Sequence, residues 1–510
     1  MSVGAIALTV LLVAAATFAL FGLVKTSHQA IDLEDYMVSR NQVGGPAALA
    51  TVTASGLGAW ILFSPPEAGS AFGGITAVLG YCLGSALAIF TFVFVGPRLR
   101  QIMPWGHSLN EYVWHRFGAG AGNSTGNPTN AAGQLMYGRL MYGLTVGVML
   151  LYMFVYLAAE LTAIAQTLQL VAGVPLLVTS LVVITAVFLY TTYGGLKTTI
   201  VTDVFQFALI MPLLMVCFVA TITLLGGFGP AFAPVAENLP ELLSFNNIDG
   251  LRFGATLLIA VIAAELFNQS NWQRVYACRD DTTVRRAFLG SSLVILPLIF
   301  LSGLLGVIAA GYDMVGAASF FDLLQSLNIS NWLLGAVILL AVALVMSSLD
   351  SLLNGISAVF TSDLLRLSDR PDLVLWISRG LTVAVGLPAV AIASQGYSVL
   401  YLFFIADLLC AALLFPLLLS FYHRHQSAAN AFVSSLVGIG VGVLFFPKPD
   451  FSPLVNVPGG GDLLNSFAAA LVTSTLITLL WTTLSKSSGG LAFNYRQLKD
   501  VEPYTQRYSS

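Results

Sequence analysis

Apolar residues run along this chain in stretches long enough to cross a bilayer, separated by short polar joints. A helix rises about 1.5 Å per residue, so a hydrocarbon core of about 30 Å needs about 20 residues. At that length the pattern predicts about thirteen spans. They fall at 3–24, 45–72, 74–96, 139–168, 174–192, 203–226, 253–272, 288–311, 332–361, 374–393, 397–421, 427–446 and 464–484. The joints give no soluble domain. Ala119 to Gln134 reads as a flexible loop, Arg98 to Phe117 as an interfacial helix, and 487–510 as a mobile polar tail behind a membrane domain at 1–486.

Two spans interrupt the pattern. The second holds Gly56 and Gly58 and then Ser64-Pro65-Pro66-Glu67; the seventh holds Glu265-Leu266-Phe267-Asn268-Gln269-Ser270-Asn271. Lipid cannot satisfy such polar groups, so neither is a plain lipid-facing helix. Pro65-Pro66 is expected to end a helix, with the glycines loosening it lower down. The two interruptions lie five spans apart, and breaks at matching places in two halves point to a transporter's binding site.

The ninth span carries one formal charge, Asp350. At 3.6 residues per turn Ser347, Asp350, Ser351, Asn354 and Thr361 share a stripe. Their oxygens suit a hard cation; a small-polar packing face between helices would use similar residues. Glu160, Glu265 and Asp407 are further acids inside spans, with no Lys or Arg evident at the same depth. Each is placed to hold a cation, a cationic solute or a proton. Gly194-Gly195 predicts a tight turn between spans five and six, and Asp203 reads as a first-turn or N-cap acid.

Composition agrees with a membrane protein. Hydrophobic residues make up 57% and charged residues 9%, against about 25% charged in soluble chains. The net charge of −3 points away from nucleic acid. Cys82, Cys217, Cys278 and Cys410 are scattered, with neither disulfide nor metal spacing. The first apolar run lacks a basic flank and is too long for a signal-peptide core, which predicts an uncleaved helix. With the N-terminus outside and the C-terminus cytoplasmic, all of the 21 Lys and Arg except Arg252 and Lys448 fall on the inner side. No nucleophile–base pair suggests an enzyme, and no organic cofactor is expected.

Several motifs together carry a family resemblance: Ser347-Ser348-Leu349-Asp350-Ser351-Leu352-Leu353-Asn354 with Phe360-Thr361-Ser362-Asp363, Tyr193-Gly194-Gly195-Leu196-Lys197 with Thr202-Asp203, and Glu34-Asp35-Tyr36 ahead of Arg40. The chain resembles the sodium:solute symporter family from about residue 30 to 430. The resemblance implies an all-α membrane protein of LeuT-type fold, with two inverted five-helix repeats at about 45–226 and 253–421. The helices at 3–24, 427–446 and 464–484 are then extra. It also implies a Na+ site of Ser347 and Ser348 hydroxyls with the carbonyls of Ala54, Leu57 and Leu344. A second site in some relatives matches Asp203, Ser347, Asp350 and Ser351. Asp350 stands where those relatives have a hydroxyl, which would strengthen that site or turn it over to protons. Solute contacts fall on Gly56, Trp60, Glu265, Asn268, Gln269 and Asp407, with Trp60 and Phe267 around the apolar part. Gly56, Val261 and Ala264 depart from the proline and sugar branches; Trp272-Gln273-Arg274 is similar to the urea/polyamine branch at that short stretch.

The expected function is sodium-driven symport of a small polar solute, an amino acid, amine or urea-like compound, by alternating access. A proton-coupled transporter of the same fold, a cation channel and a non-transporting sensor are the competing readings. The uncompensated acids favour neutral, zwitterionic or cationic solutes over monocarboxylates or sialic acid. Beyond the solute and the bilayer, no partner or oligomeric state is indicated.

Overall fold

The structure, a computed structural model, describes residues 3–26, 33–119, 128–327, 329–366, 370–487 and 492–501. Helix α1 (Val3–Thr26) precedes the core, and α2 (Leu33–Met37) leads into the first broken span. That span is α3 (Gly45–Gly56) and α4 (Ser64–Ala71), joined by one 3-10 turn, Ala59–Leu62. Next come α5 (Ile75–Ile102), the short α6 (Leu109–Val113), α7 (Pro128–Ala172) and α8 (Leu176–Leu224). After α9 (Phe228–Asn238), the second broken span is α10 (Ile248–Leu266) and α11 (Gln269–Ala277). The chain continues through α12 (Asp281–Ala310), α13 (Ser319–Ser326), α14 (Asn331–Leu364), α15 (Pro371–Ala393) and α16 (Val399–Ser420). Two further helices, α17 (Ala428–Phe445) and α18 (Leu463–Ser487), pack on α16.

Ten of these helices are long and apolar enough to span a membrane, and the two broken pairs add a span each. At 49 residues, α8 would be about 74 Å long if straight, more than two bilayer cores. It is not straight. Gly195 breaks it with φ 56° and ψ −147°, a left-handed conformation that favours glycine, and a Cβ there would run into the ring and carbonyl of Tyr36. Counting its two segments separately gives the thirteen spans of the hydropathy pattern. The expected turn at Gly194-Gly195 is therefore a sharp bend with no loop. Asp203 sits eight residues beyond it, fully buried, and caps nothing.

Both broken pairs bend by 57°. The proline expectation in the first is corrected: Pro65 and Pro66 lie in the first turn of α4 and begin that half-helix. Proline has no N–H to lose, and at a helix start none is needed. The break comes earlier, at Leu57 and Gly58, where the backbone is extended. Backbone hydrogen bonds tie the two broken spans together at one end: Asn41 N–H to the Tyr276 carbonyl (3.0 Å), Val43 N–H to Ala277 (2.9 Å) and Arg279 N–H to Val43 (2.9 Å). Around this pair, α12 packs on α3, α4 and α5, while α14 packs on α3, α7 and α8.

Two peripheral expectations change. The 98–117 stretch is no interfacial helix: α5 continues to Ile102, and His107, Asn110, Glu111 and Arg116 beyond it are buried. Partners inside the protein make that possible; Tyr112 donates to the Ser420 carbonyl (2.8 Å) and Arg116 to the Gln426 carbonyl (2.9 Å). Part of the tail is docked. Phe493 N–H donates to Arg424 (2.9 Å), Tyr495 to Ser420 (2.6 Å), and the Arg116 guanidinium lies 4.4 Å from the Phe493 ring centre. The polar composition of the tail hid these two aromatic anchors. Of the loop expected at 119–134, residues 120–127 lie outside the described residues, and 128–134 are the first residues of α7.

Candidate functional site: an oxygen shell and an aromatic cavity at two broken helices

A helix end leaves carbonyls without intrahelical donors, and the end of α3 falls in mid-protein. Ser347 and Ser348, on α14, face it. The Ser347 hydroxyl lies 2.9 Å from the Ala54 carbonyl and 3.0 Å from that of Leu344. The Ser348 hydroxyl lies 3.2 Å from Leu344 and 3.1 Å from Val345 carbonyls. Leu57 is the cap of α3, its N–H bonded back to Ala54 and Thr53. The structure thus gathers Ala54, Leu344, Ser347 and Ser348 into one oxygen-rich shell, with Leu57 at its edge.

Glu160, from α7, holds the break open. Its Oε2 accepts from the Ala59 N–H (2.7 Å), and the carboxylate lies beside Ser348. Gly58 runs against this carboxylate so closely that a Cβ would overlap it. Gly58→Ala must therefore push Glu160 away from Ala59, an overpacking cost of about 1–3 kcal/mol. We expect its uptake, normalised to membrane protein, to fall by about five- to a hundredfold. Glu160→Gln, which keeps the acceptor for Ala59, should lose less.

Beside the shell lies a cavity of ≈ 40 Å³, with ≈ 580 Å³ of empty space once the part open to solvent is counted. Gly56, Trp60, Glu265 and Asp407 line it, as does a set of aromatic rings. Trp60 stacks on Tyr81 (5.4 Å between centroids, 16° between planes) and donates from Nε1 to the Tyr156 hydroxyl (3.1 Å). Phe403 stands edge-on to Tyr156 at 5.0 Å. Glu265 ends α10 at the second break. Its Oε2 accepts from Asn271 (2.6 Å) and Asn268 (3.2 Å), and its Oε1 from the Tyr152 hydroxyl (3.3 Å). Asp407 enters from α16 with Oδ1 buried and unpartnered among the described residues. No Lys, Arg or His is among the described residues lining this cavity.

Other expected solute contacts lie elsewhere. Asn268 caps α11 and steadies Glu265. Gln269 bridges to the neighbouring α6 segment, donating to the His107 carbonyl (2.8 Å) and accepting from the Leu109 N–H (3.3 Å). Phe267 is fully buried and is not part of the cavity wall. Tyr81, Tyr152, Tyr156 and Phe403 were missed, being aromatics within apolar spans. A signal existed for two of them: Tyr152, Tyr156 and Glu160 are spaced by four residues, one face of α7.

A third cluster corrects the expectation that no basic residue reaches the depth of these acids. Arg274, on α11, is buried and ion-pairs with Asp203 at 2.7 Å. Its Nη2 also donates to the Ser351 hydroxyl (2.6 Å), its Nε to the Thr51 hydroxyl (2.9 Å), and its Nη1 to the Ser270 carbonyl (3.0 Å). The Thr51 hydroxyl donates in turn to Asp203. Asp350 adjoins this group but is met by hydroxyls: Tyr190 at 2.9 Å, Thr202 at 3.2 Å and Ser351 at 3.2 Å. At the far end of the stripe Asn354 donates to the Thr199 hydroxyl and Thr361 to the Ser357 carbonyl (2.7 Å), both packing contacts.

A charged clamp closes the end of the molecule that carries α2 and α6. His107 is buried between two carboxylates, with Nε2 2.6 Å from Glu34 and Nδ1 3.2 Å from Glu111. Arg40 joins Glu34 at 2.5 Å, and His115 and Arg366 add positive charge near Glu111. Burial pushes the His107 pKa down, but the two carboxylates outweigh it and raise it. Burial pushes Glu111 up, yet the His107 charge outweighs that and holds it at about 2. The raised imidazole contributes fully below its ordinary value of about 6.5 and is lost as pH climbs through the folded value. The lowered carboxylate contributes above about 4.5 and fades only as pH falls towards 2. The clamp should therefore hold near pH 6 and loosen on the alkaline side. Amide exchange over 103–113, corrected for intrinsic rates, should accelerate as pH climbs above about 6.5 in wild type, and be fast throughout in His107→Gln.

Comparison with known proteins agrees with this geometry. Residues 36–438 match the model of the sodium:solute symporter family. The spermidine transporter DUR31 of Candida albicans is 26% identical over 393 residues, covering 75% of this chain and 68% of its own length. The sodium/proline symporter of Escherichia coli is 23% identical over 390 residues, covering 71% and 72%. Among solved structures, a Na+-coupled sialic acid symporter in a substrate-bound outward-open state superposes with a TM-score of 0.72 at 18% identity, over 94% of this chain and 97% of that one. Mhp1, a nucleobase-cation-symport transporter, gives 0.55 at 13% identity, over 94% and 100%. The match spans the broken helices, the oxygen shell and the cavity alike, and this chain belongs to the sodium:solute symporter family of integral membrane transporters.

Proposed function

We propose that the protein imports a small organic cation bearing two or more amino groups, driven by sodium entering at the Ser347–Ser348 shell. The observation that carries the solute class is the presence of Glu265 and Asp407 in one aromatic cavity with no basic side chain among the described residues of its wall. An anionic solute would meet like charge in a poorly solvated site. An amino acid would bring a carboxylate with no basic side chain there to receive it. Ammonium groups instead pair with the two acids, and the faces of Trp60, Tyr81 and Tyr156 favour cationic stems. A relative named for spermidine transport supports this choice. The orientation that goes with import, N-terminus outside and C-terminus cytoplasmic, follows from the Lys and Arg distribution.

Ion and solute are coupled through α3. The shell binds α14 to the end of α3, and Gly56 and Trp60 at the break face the solute. Sodium thus favours the solute-ready arrangement by as much as it binds that arrangement more tightly. Competition against labelled spermidine in sodium-containing buffer tests the solute class. Diamines and polyamines should compete best, monoamines less, and amino acids and carboxylates least. A carboxylate at the head of that order would contradict the proposal.

A further inference from the structure

We propose that Arg274 is a tethered cation standing where a second coupling ion would sit, so that the transporter binds one sodium ion and not two. The inference rests on the sodium reading of the Ser347–Ser348 shell and extends it to the neighbouring acids.

The candidate ligands for a second ion are Asp203, Ser347, Asp350 and Ser351, and each is already engaged. Asp203 and Ser351 hold the same nitrogen, Arg274 Nη2, at 2.7 and 2.6 Å. The Ser347 hydroxyl is turned to the Ala54 and Leu344 carbonyls, which belong to the first shell. Asp350 keeps only hydroxyl neighbours, from Tyr190, Thr202 and Ser351. Asp203 Oδ1 has no partner among the described residues, but one spare oxygen beside a guanidinium falls short of the several oxygens that a hard cation takes. A second ion there would also meet a guanidinium held against Asp203 and Ser351, with Asp350 alone left to attract it.

The guanidinium does the structural work of an ion. It reaches Thr51 on α3, Asp203 on α8 and Ser351 on α14 from its own place on α11, so one charge gathers both broken spans and two of the helices around them. Its planar fork suits several acceptors at once. Unlike an ion it cannot leave, so it draws nothing from the sodium gradient.

Equilibrium binding of radioactive sodium to purified protein tests this without knowledge of the solute. Wild type should bind one sodium ion per chain with a Hill slope of one, and Ser348→Ala should weaken that binding tenfold or more. Arg274→Lys keeps a tethered charge and should still bind one. Arg274→Ala vacates the place and should bind two, falling back to one when Asp203→Asn is added. Two ions in wild type, or one in a folded Arg274→Ala protein, overturns the inference while leaving the first shell intact. The wild-type count decides even if Arg274→Ala fails to fold. No sodium binding by wild type overturns the sodium reading, and this inference with it.

Discussion

Ser348→Ala and Ser347→Ala each raise the sodium concentration for half-maximal uptake by roughly ten- to a hundredfold, if the shell is the coupling site. The estimate follows from the geometry. Each serine supplies one hydroxyl oxygen to a shell otherwise built from backbone carbonyls, and hydrogen-bonded or charged contacts of this kind contribute about 1.5–3 kcal/mol. Ser347 matters twice, because its hydroxyl is also the contact from α14 to the end of α3. Folding should survive both changes: alanine is the best helix former, and the Glu160 carboxylate beside Ser348 keeps the Ala59 N–H when that hydroxyl is removed. The check is uptake against sodium concentration at fixed solute, with expression and melting temperature measured alongside. Unchanged sodium dependence in both single variants would assign the hydroxyls to packing.

Glu265→Gln should weaken an amine-bearing solute by about 1–3 kcal/mol, the range for losing a charged hydrogen bond. The substitution is nearly isosteric, and the glutamine oxygen can still accept from Asn271, so the second break should keep its shape. What disappears is the negative charge facing the cavity. The loss should fall on binding of cationic solutes and spare uncharged ones. Asp407→Asn should act in the same direction, and the double variant should accept a neutral solute best. An amine whose affinity is indifferent to Glu265→Gln is bound somewhere else.

Much of this site was legible in the sequence because its elements defy the membrane. A carboxylate such as Asp350 or Glu265 in a long apolar run has to face protein or water, and polar runs in two matching spans have to be breaks. What hydropathy could not show was which of those groups meet. Arg274 counts in the sequence as one more positive residue near a span end, yet the bend at Phe267–Asn268 carries it inward to Asp203. Similarly, Pro65 and Pro66 read as stops, although proline starts helices as readily as it ends them. The aromatic wall was illegible because rings are common in apolar spans, and only tertiary contact separates a lining tyrosine from a packed one. His107 gave no signal, since its two carboxylates lie four residues away and across the fold at Glu34.

The central claim is that a sodium gradient drives an organic cation through the cavity between the two broken helices. The direct measurement is accumulation of labelled spermidine in proteoliposomes containing only this purified protein, with an inward sodium gradient and with sodium replaced by choline. The account predicts accumulation above equilibrium that requires sodium, collapses when the gradient is dissipated, and needs a higher spermidine concentration in Glu265→Gln. Equal uptake in sodium and in choline, or sodium-driven accumulation of a carboxylate in preference to the amine, would contradict it.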